Sequence, residues 1–195
     1  SCIAANRFLV HESVADEFGA KFASALRQIV VGPGMEPNVG LGPLINPAAQ
    51  ADMQDIVEVA SGSGASVTVG GFAPDRRGYY YEPTLLERVL PDSPILGREI
   101  FGPMAPIVTF ETEEQAIELS NDTIYGLASY LYTTDLSRGM RVAEAIESGM
   151  VGINRGLISD PAAPFGGMKQ SGLGREGSHE GIKEFLETKY IAASW

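Results

Sequence analysis

The chain has 195 residues, 14 Lys plus Arg against 25 Asp plus Glu, a net charge of -11 and 44% hydrophobic residues, enough to bury a core in one domain or a little more and to exclude disorder. The acidic balance, with no basic cluster, excludes a partner recognised through its phosphates, so no nucleic acid is expected. One Cys makes no internal disulfide and, with two His, no structural zinc site; no apolar run approaches the roughly 18 residues of a membrane span and no signal-peptide pattern opens the chain, so a cytoplasmic protein without membrane or metal is expected.

Residues 7–10, Arg7, Phe8, Leu9 and Val10, read as a strand. Ser13, with Asp16 three residues on, reads as the cap of a helix whose Val14, Phe18, Phe22, Leu26 and Ile29 recur at helical spacing. A loop rich in Gly and Pro covers 32–46. Asn46-Pro47 then supplies a cap and a first-turn proline for a second helix carrying Met53, Ile56, Val57 and Ala60, which stops at Ser61-Gly62-Ser63-Gly64. Val67 and Val69 predict a short strand, 79–89 a looser extended stretch and 105–110 a stronger strand. Thr112 and Gln115 form a capping box for a helix through Ile117 and Leu119, and 127–132 is the next strand. Asp135 caps a helix bearing Leu136, Met140, Ala143 and Ile146, and 150–153 is another strand. This alternation predicts an α/β fold with an open, largely parallel twisted sheet and flanking helices. A long Gly-rich connection over 154–177 follows, of a length often functional in compact domains. A short helix at 182–186 and a tail at 189–195, alternating enough to be a strand, complete the chain.

Gly172-Leu173-Gly174-Arg175-Glu176-Gly177 has the G-x-G-x-x-G spacing of a dinucleotide fingerprint. Its context rejects that reading, because no strand precedes it and no strand-helix-strand unit follows; a flexible surface connection is the simpler expectation. Taken alone, Cys2 fits a small buried hydrophobe better than a nucleophile. His11 and His179 have no Ser or Cys partner at local spacing and read as surface residues. Glu99 differs from the acidic residues on helix faces: it lies between Gly97 and Pro103, where a carboxylate either holds a ligand hydroxyl or belongs to a plain turn.

Cys2 followed by Ala5-Asn6-Arg7, then Glu99-Ile100-Phe101-Gly102-Pro103, then Pro164-Phe165-Gly166-Gly167-Met168-Lys169-Gln170-Ser171-Gly172 resemble, in that order, the C-terminal portion of the aldehyde dehydrogenase superfamily. The resemblance runs over essentially the whole chain, and three ordered motifs are far more specific than one. Within the superfamily, Gly156-Leu157-Ile158-Ser159 and the stretch 171–178 most resemble the succinate-semialdehyde dehydrogenases. The resemblance implies that Cys2 is the catalytic nucleophile. It would attack a small-molecule aldehyde to give a thiohemiacetal, pass hydride to NAD or NADP, and release the acid by hydrolysis of a thioester. The Cys2 N–H would be one oxyanion donor. Glu99 would hold the nicotinamide ribose hydroxyls, Phe101 would border the ring, and Ser159 would donate to the substrate's far carboxylate. Arg155 departs from the family pattern: it either adds positive charge near that carboxylate or points to solvent.

In the family the dinucleotide-binding domain, the Glu that activates water and the Asn that completes the oxyanion hole precede the Cys. The expectation is therefore a catalytic (nucleophile) portion over 1–160 and a C-terminal connection and oligomerisation tail over 161–195. No dinucleotide-binding domain is expected in these residues, and the chain alone would be inactive. An unpaired tail strand would favour a homo-oligomer. From a different class, the same fold could serve as a non-catalytic oligomerisation or interaction module, and a small nucleotide-binding protein using 172–177 ranks last.

Overall fold

Local chemistry sets most of the element boundaries in the computed structural model, which describes residues 1–195. The chain forms two compact units, Ser1–Ser120 and Asn121–Trp195.

The first unit contains β1 (Phe8–His11), α1 (Glu12–Leu26), α2 (Pro47–Gly62), β2 (Ser66–Val69), β3 (Thr84–Glu87), β4 (Met104–Phe110) and most of α3 (Glu113–Asn121). Its sheet runs β1-β4-β3-β2; β4 lies parallel to β1 and β3, and β2 closes one edge antiparallel to β3. Successive strand residues point to opposite faces, so β3 and β4 divide their side chains between two cores. Leu86, Met104 and Val108 pack with Met53, Ile56, Val57 and Ala60 of α2. Leu85, Ala105 and Ile107 pack with Ala23, Phe22 and Leu26 of α1. Burial on both faces is why β4 reads as an almost continuous apolar run. Tyr81, 1% exposed, joins the α2 core with its hydroxyl donating to Gln54 Oε1 at 3.1 Å. Burial, reinforced by the charge of Glu58, pushes its phenol from 10.0 up to about 12.

The second unit contains β5 (Ala128–Leu131), α4 (Leu136–Ala145), β6 (Met150–Ile153) and α5 (Ser178–Gly181), which runs into a 3-10 turn at Ile182–Phe185. Strands β5 and β6 pair in parallel, as a strand-helix-strand crossover through α4 requires. Asp135 caps α4 by accepting from Arg138 N at 3.1 Å, and that hydrogen bond holds its carboxyl below the usual range.

The α/β class and the largely parallel pairing are as expected, and Asn46 caps α2 through Ala49 N at 2.8 Å. Gln115 N donates to Thr112 Oγ1 at 3.2 Å, as the capping box predicts, although the Gln115 side chain reaches back so that its Oε1 accepts from Glu111 N at 2.7 Å. Three details differ. Helix α1 is capped by His11, whose Nδ1 accepts from Ser13 N at 3.2 Å; Ser13 lies inside the helix because His11 already offers an extended backbone and an acceptor. Within 79–89 only Thr84–Glu87 forms a strand, stopped by Arg88 at φ 56°. Residues 187–195 form no strand and pair with no strand of either sheet.

Candidate active site

Cys2 stands at the corner of a turn closed by the Ala4 N–H donating to the Ser1 carbonyl at 3.0 Å, and it is exposed. The turn leaves the Cys2 N–H without an acceptor in the chain. The backbone then enters β1, at whose start Arg7 donates to the carbonyls of Leu119 (2.9 Å) and Ser120 (3.0 Å) and ties the strand to the end of α3.

Glu99 and Phe101 are both exposed, but the residues around them are fixed. Arg98 pairs with Asp55 at 2.6 Å and with Asp52, both on α2; the Asp55 hydrogen bond first, then the charges of the two carboxylates, hold its guanidinium above its ordinary value against the cost of burial. Gly102 lies against the Met53 thioether, which occupies the space a Cβ would need. Ile100, 4% exposed, sits in the α2 core. Its backbone is met by the Asn6 amide, which in the orientation satisfying both partners donates to the Ile100 carbonyl at 3.1 Å and accepts from its N–H at 3.3 Å. Ala4 and Ala5, next to Cys2, and Gly102 and Pro103, next to Phe101, line one apolar cleft of about 270 Å³. The segment that carries Cys2 and the segment that carries Glu99 and Phe101 are thus brought together.

Ser159 and Arg155 share an exposed loop in the second unit. Asn154 launches that loop from the end of β6 at φ 53°, the left-handed conformation that Asn tolerates. Its amide accepts from Thr133 N at 2.9 Å and donates to Thr133 O at 2.8 Å, extending the β5–β6 pairing through a side chain. Arg155 uses its Nε on the Leu157 carbonyl at 2.6 Å and so braces its own loop while exposed. Asp160 then turns the chain, accepting from Ala162 N at 2.9 Å.

The Gly-rich connection is not a free surface strap. Met168 N donates to Gly126 O at 2.8 Å, Ser171 Oγ accepts from Gly126 N at 2.9 Å, and Lys169 reaches the carbonyls of Asn121 (2.7 Å) and Thr123 (3.1 Å) as well as Glu147 at 2.5 Å. Phe165 and Glu176 exchange backbone hydrogen bonds of 2.8 and 2.7 Å. Gly172 and Gly174 adopt φ of 107° and 78° inside this folded loop, which accounts for their spacing without a nucleotide.

Sequence patterns missed Asn6 and Arg98, because their partners lie far along the chain. Asn154 carried a local signal, an Asn two residues before Gly156 at a strand end, that points to a left-handed turn.

The model of the aldehyde dehydrogenase family matches residues 1–191. A succinate-semialdehyde dehydrogenase of Paenarthrobacter nicotinovorans is 55% identical over 191 residues, 98% of this chain and 42% of that protein. A glutarate-semialdehyde dehydrogenase of Pseudomonas putida is 48% identical over 194 residues, 100% of this chain and 40% of that protein. The crystal structure of succinate-semialdehyde dehydrogenase from Burkholderia pseudomallei superposes with a TM-score of 0.93 at 50% identity, covering 95% of this chain and 38% of that one. The chain therefore spans about two fifths of the length of the relatives it matches. With the family model matched almost from end to end and its fold reproduced at half sequence identity, this chain belongs to the aldehyde dehydrogenase family.

Proposed function

We propose that these residues supply the nucleophile, the ribose-holding carboxylate and the substrate-end loop of an NAD(P)-dependent aldehyde dehydrogenase acting on an ω-carboxy semialdehyde, with succinate semialdehyde as the preferred substrate. The observation that carries the reading is the exposed Cys2 turn, joined through Asn6 to the segment displaying Glu99 and Phe101. The printed activities of the relatives, succinate- and glutarate-semialdehyde dehydrogenases, support the substrate class.

The Cys2 thiolate adds to the aldehyde carbon and forms a C–S bond, giving a thiohemiacetal whose oxyanion lies within reach of the Cys2 N–H. The chemistry that a bound NAD(P)⁺ would supply is that of a hydride acceptor for that carbon. What remains on Cys2 is a thioester, which water cleaves to the carboxylic acid and the free thiol. An uncommitted carboxylate beside an exposed aromatic ring fits a ribose diol and a nicotinamide, so Glu99 and Phe101 are the residues that would hold that end of the dinucleotide. Residues 172–177 fit no part of it, being folded into the connection itself. Because these residues match only about two fifths of the relatives' length, the proposal extends to the 195 residues being inactive by themselves.

In the full-length protein, reduced-nicotinamide absorbance should rise fastest with succinate semialdehyde, more slowly with glutarate semialdehyde, and least with butanal, offered with NAD and with NADP in turn. Equal kcat/KM for butanal and succinate semialdehyde would remove the carboxylate from the proposal. Arg155 is exposed while its Nε donates to the Leu157 carbonyl at 2.6 Å; in this proposal its charge would lie near that carboxylate, and an unchanged KM for succinate semialdehyde in Arg155→Ala would assign it to solvent instead.

A homo-oligomer is the second part of the proposal, with 161–195 supplying the interface. Residues 187–195 make no hydrogen bond in the chain and expose Tyr190, Ile191 and Trp195. Light scattering at micromolar concentration should give more than one copy per particle, and a strict monomer would contradict it.

A further inference from the structure

We propose that Asn6 is a positioning residue that sets where Glu99 and Phe101 stand relative to Cys2, an inference that rests on the function proposed above. Ile100 lies between Glu99 and Phe101, and its side chain is buried among Met53, Val57 and their neighbours. A buried backbone N–H and C=O need partners, and for Ile100 both come from the one amide of Asn6. No other backbone or side-chain group bonds to that peptide. Asn6 itself stands between the Cys2 turn and β1, whose start Arg7 fixes to α3. A two-point amide bond fixes direction as well as distance, so a shift of the Cys2 segment carries the Ile100 backbone with it.

Other ties act on the same loop from a different side. Arg98 fastens it to Asp52 and Asp55, and Met53 limits Gly102, but all three partners belong to α2. Asn6 is the tie that runs to the nucleophile's own segment. Ile100 holds its place through its side chain whether or not Asn6 is present, so losing Asn6 frees the orientation of the peptide without unpacking the core. The loss should therefore appear in dinucleotide binding and hydride transfer rather than in the chemistry of the thiol.

The experiment compares Asn6→Leu, which removes both bonds, and Asn6→Asp, which keeps an acceptor for the Ile100 N–H, in the full-length protein. KM for the dinucleotide and kcat are measured beside the rate at which iodoacetamide alkylates Cys2. Asn6→Leu should raise the dinucleotide KM about tenfold or more, with Asn6→Asp intermediate. Cys2 alkylation should stay within about twofold. Unchanged dinucleotide constants in both variants, with normal turnover in the unsubstituted protein, would overturn this inference alone. Alkylation falling in step with kcat would overturn it too, as a general loss of structure. Absence of Cys2-dependent turnover in the unsubstituted protein would overturn the proposed function and this inference together.

Discussion

Cys2→Ala in the full-length protein should lower aldehyde oxidation at least about 10⁴-fold, with dinucleotide binding unchanged, because the proposed chemistry would lose its nucleophile. The residue is singular in two ways. It is the one thiol in the chain, and it stands exposed at the corner of a closed turn. A buried structural cysteine would be packed on several sides, whereas this one meets solvent and leaves its own N–H unpaired beside it. Cys2→Ser separates nucleophile from position. A hydroxyl fits the same turn but is a far poorer nucleophile near neutral pH, so Ser should behave like Ala. If instead the Cys2→Ala protein retained more than about a tenth of the parent rate, Cys2 would not be the group that bonds the aldehyde.

Gly149→Ala should lower stability by about 3 kcal/mol, at the upper end of ordinary overpacking costs, because the obstacle is backbone on both sides. A Cβ at Gly149 would overlap the Gly166 carbonyl oxygen and come within 2.8 Å of Gly166 C and Gly167 Cα. That stretch has no slack to yield, since Met168, Ser171 and Lys169 are all bonded to the chain between Asn121 and Gly126. The Gly149 N–H, which donates to Gly126 O at 2.9 Å, would be drawn out of line as the loop moved. Gly62→Ala is the control: nothing stands within 4 Å of its Cβ position and it belongs to α2. There Ala should be neutral or stabilising by a few tenths of a kcal/mol, through a less mobile unfolded chain. Thermal unfolding should show the Gly149→Ala midpoint lowered by roughly 6–12 °C. A midpoint equal to that of Gly62→Ala would mean that the connection over 164–171 is not held as described.

Where a boundary depended on two or three adjacent residues, the sequence alone made it legible. Asn46-Pro47 and Asp135 each satisfy an orphan N–H within one turn of themselves, so their chemistry is written locally. Ser13 misled because a hydroxyl two residues after a histidine looks like the stronger cap, and only the backbone angle at His11 decides between them. The Gly-rich connection misled for a different reason. Small residues permit flexibility, but they also permit close backbone approach, and which applies at Gly126, Gly149 and Gly166 depends on what lies opposite. The tail alternated as a strand does, yet a ladder needs a neighbour.

The candidate site was read by a different route. Cys2, Glu99, Phe101 and Ser159 were reached through ordered motifs, since no local rule distinguishes a nucleophilic Cys from a packed one. The groups that hold them in place went unread. Asn6 acts on the Ile100 peptide and Arg98 on two carboxylates of α2, each more than 40 residues away along the chain, so neither pairing is visible before the fold brings the segments together. Arg155 illustrates the remaining difficulty, for its guanidinium is exposed and braced at the same time.

The most direct measurement is an acid-quenched single turnover of the full-length protein with succinate semialdehyde and the oxidised dinucleotide, followed by mass spectrometry of the peptide that contains Cys2. The proposed chemistry requires that peptide to gain one succinyl group as a thioester, only when both reagents are present and in step with the first equivalent of reduced nicotinamide. Reduced nicotinamide formed without any adduct on Cys2, or an adduct on another residue, would contradict it.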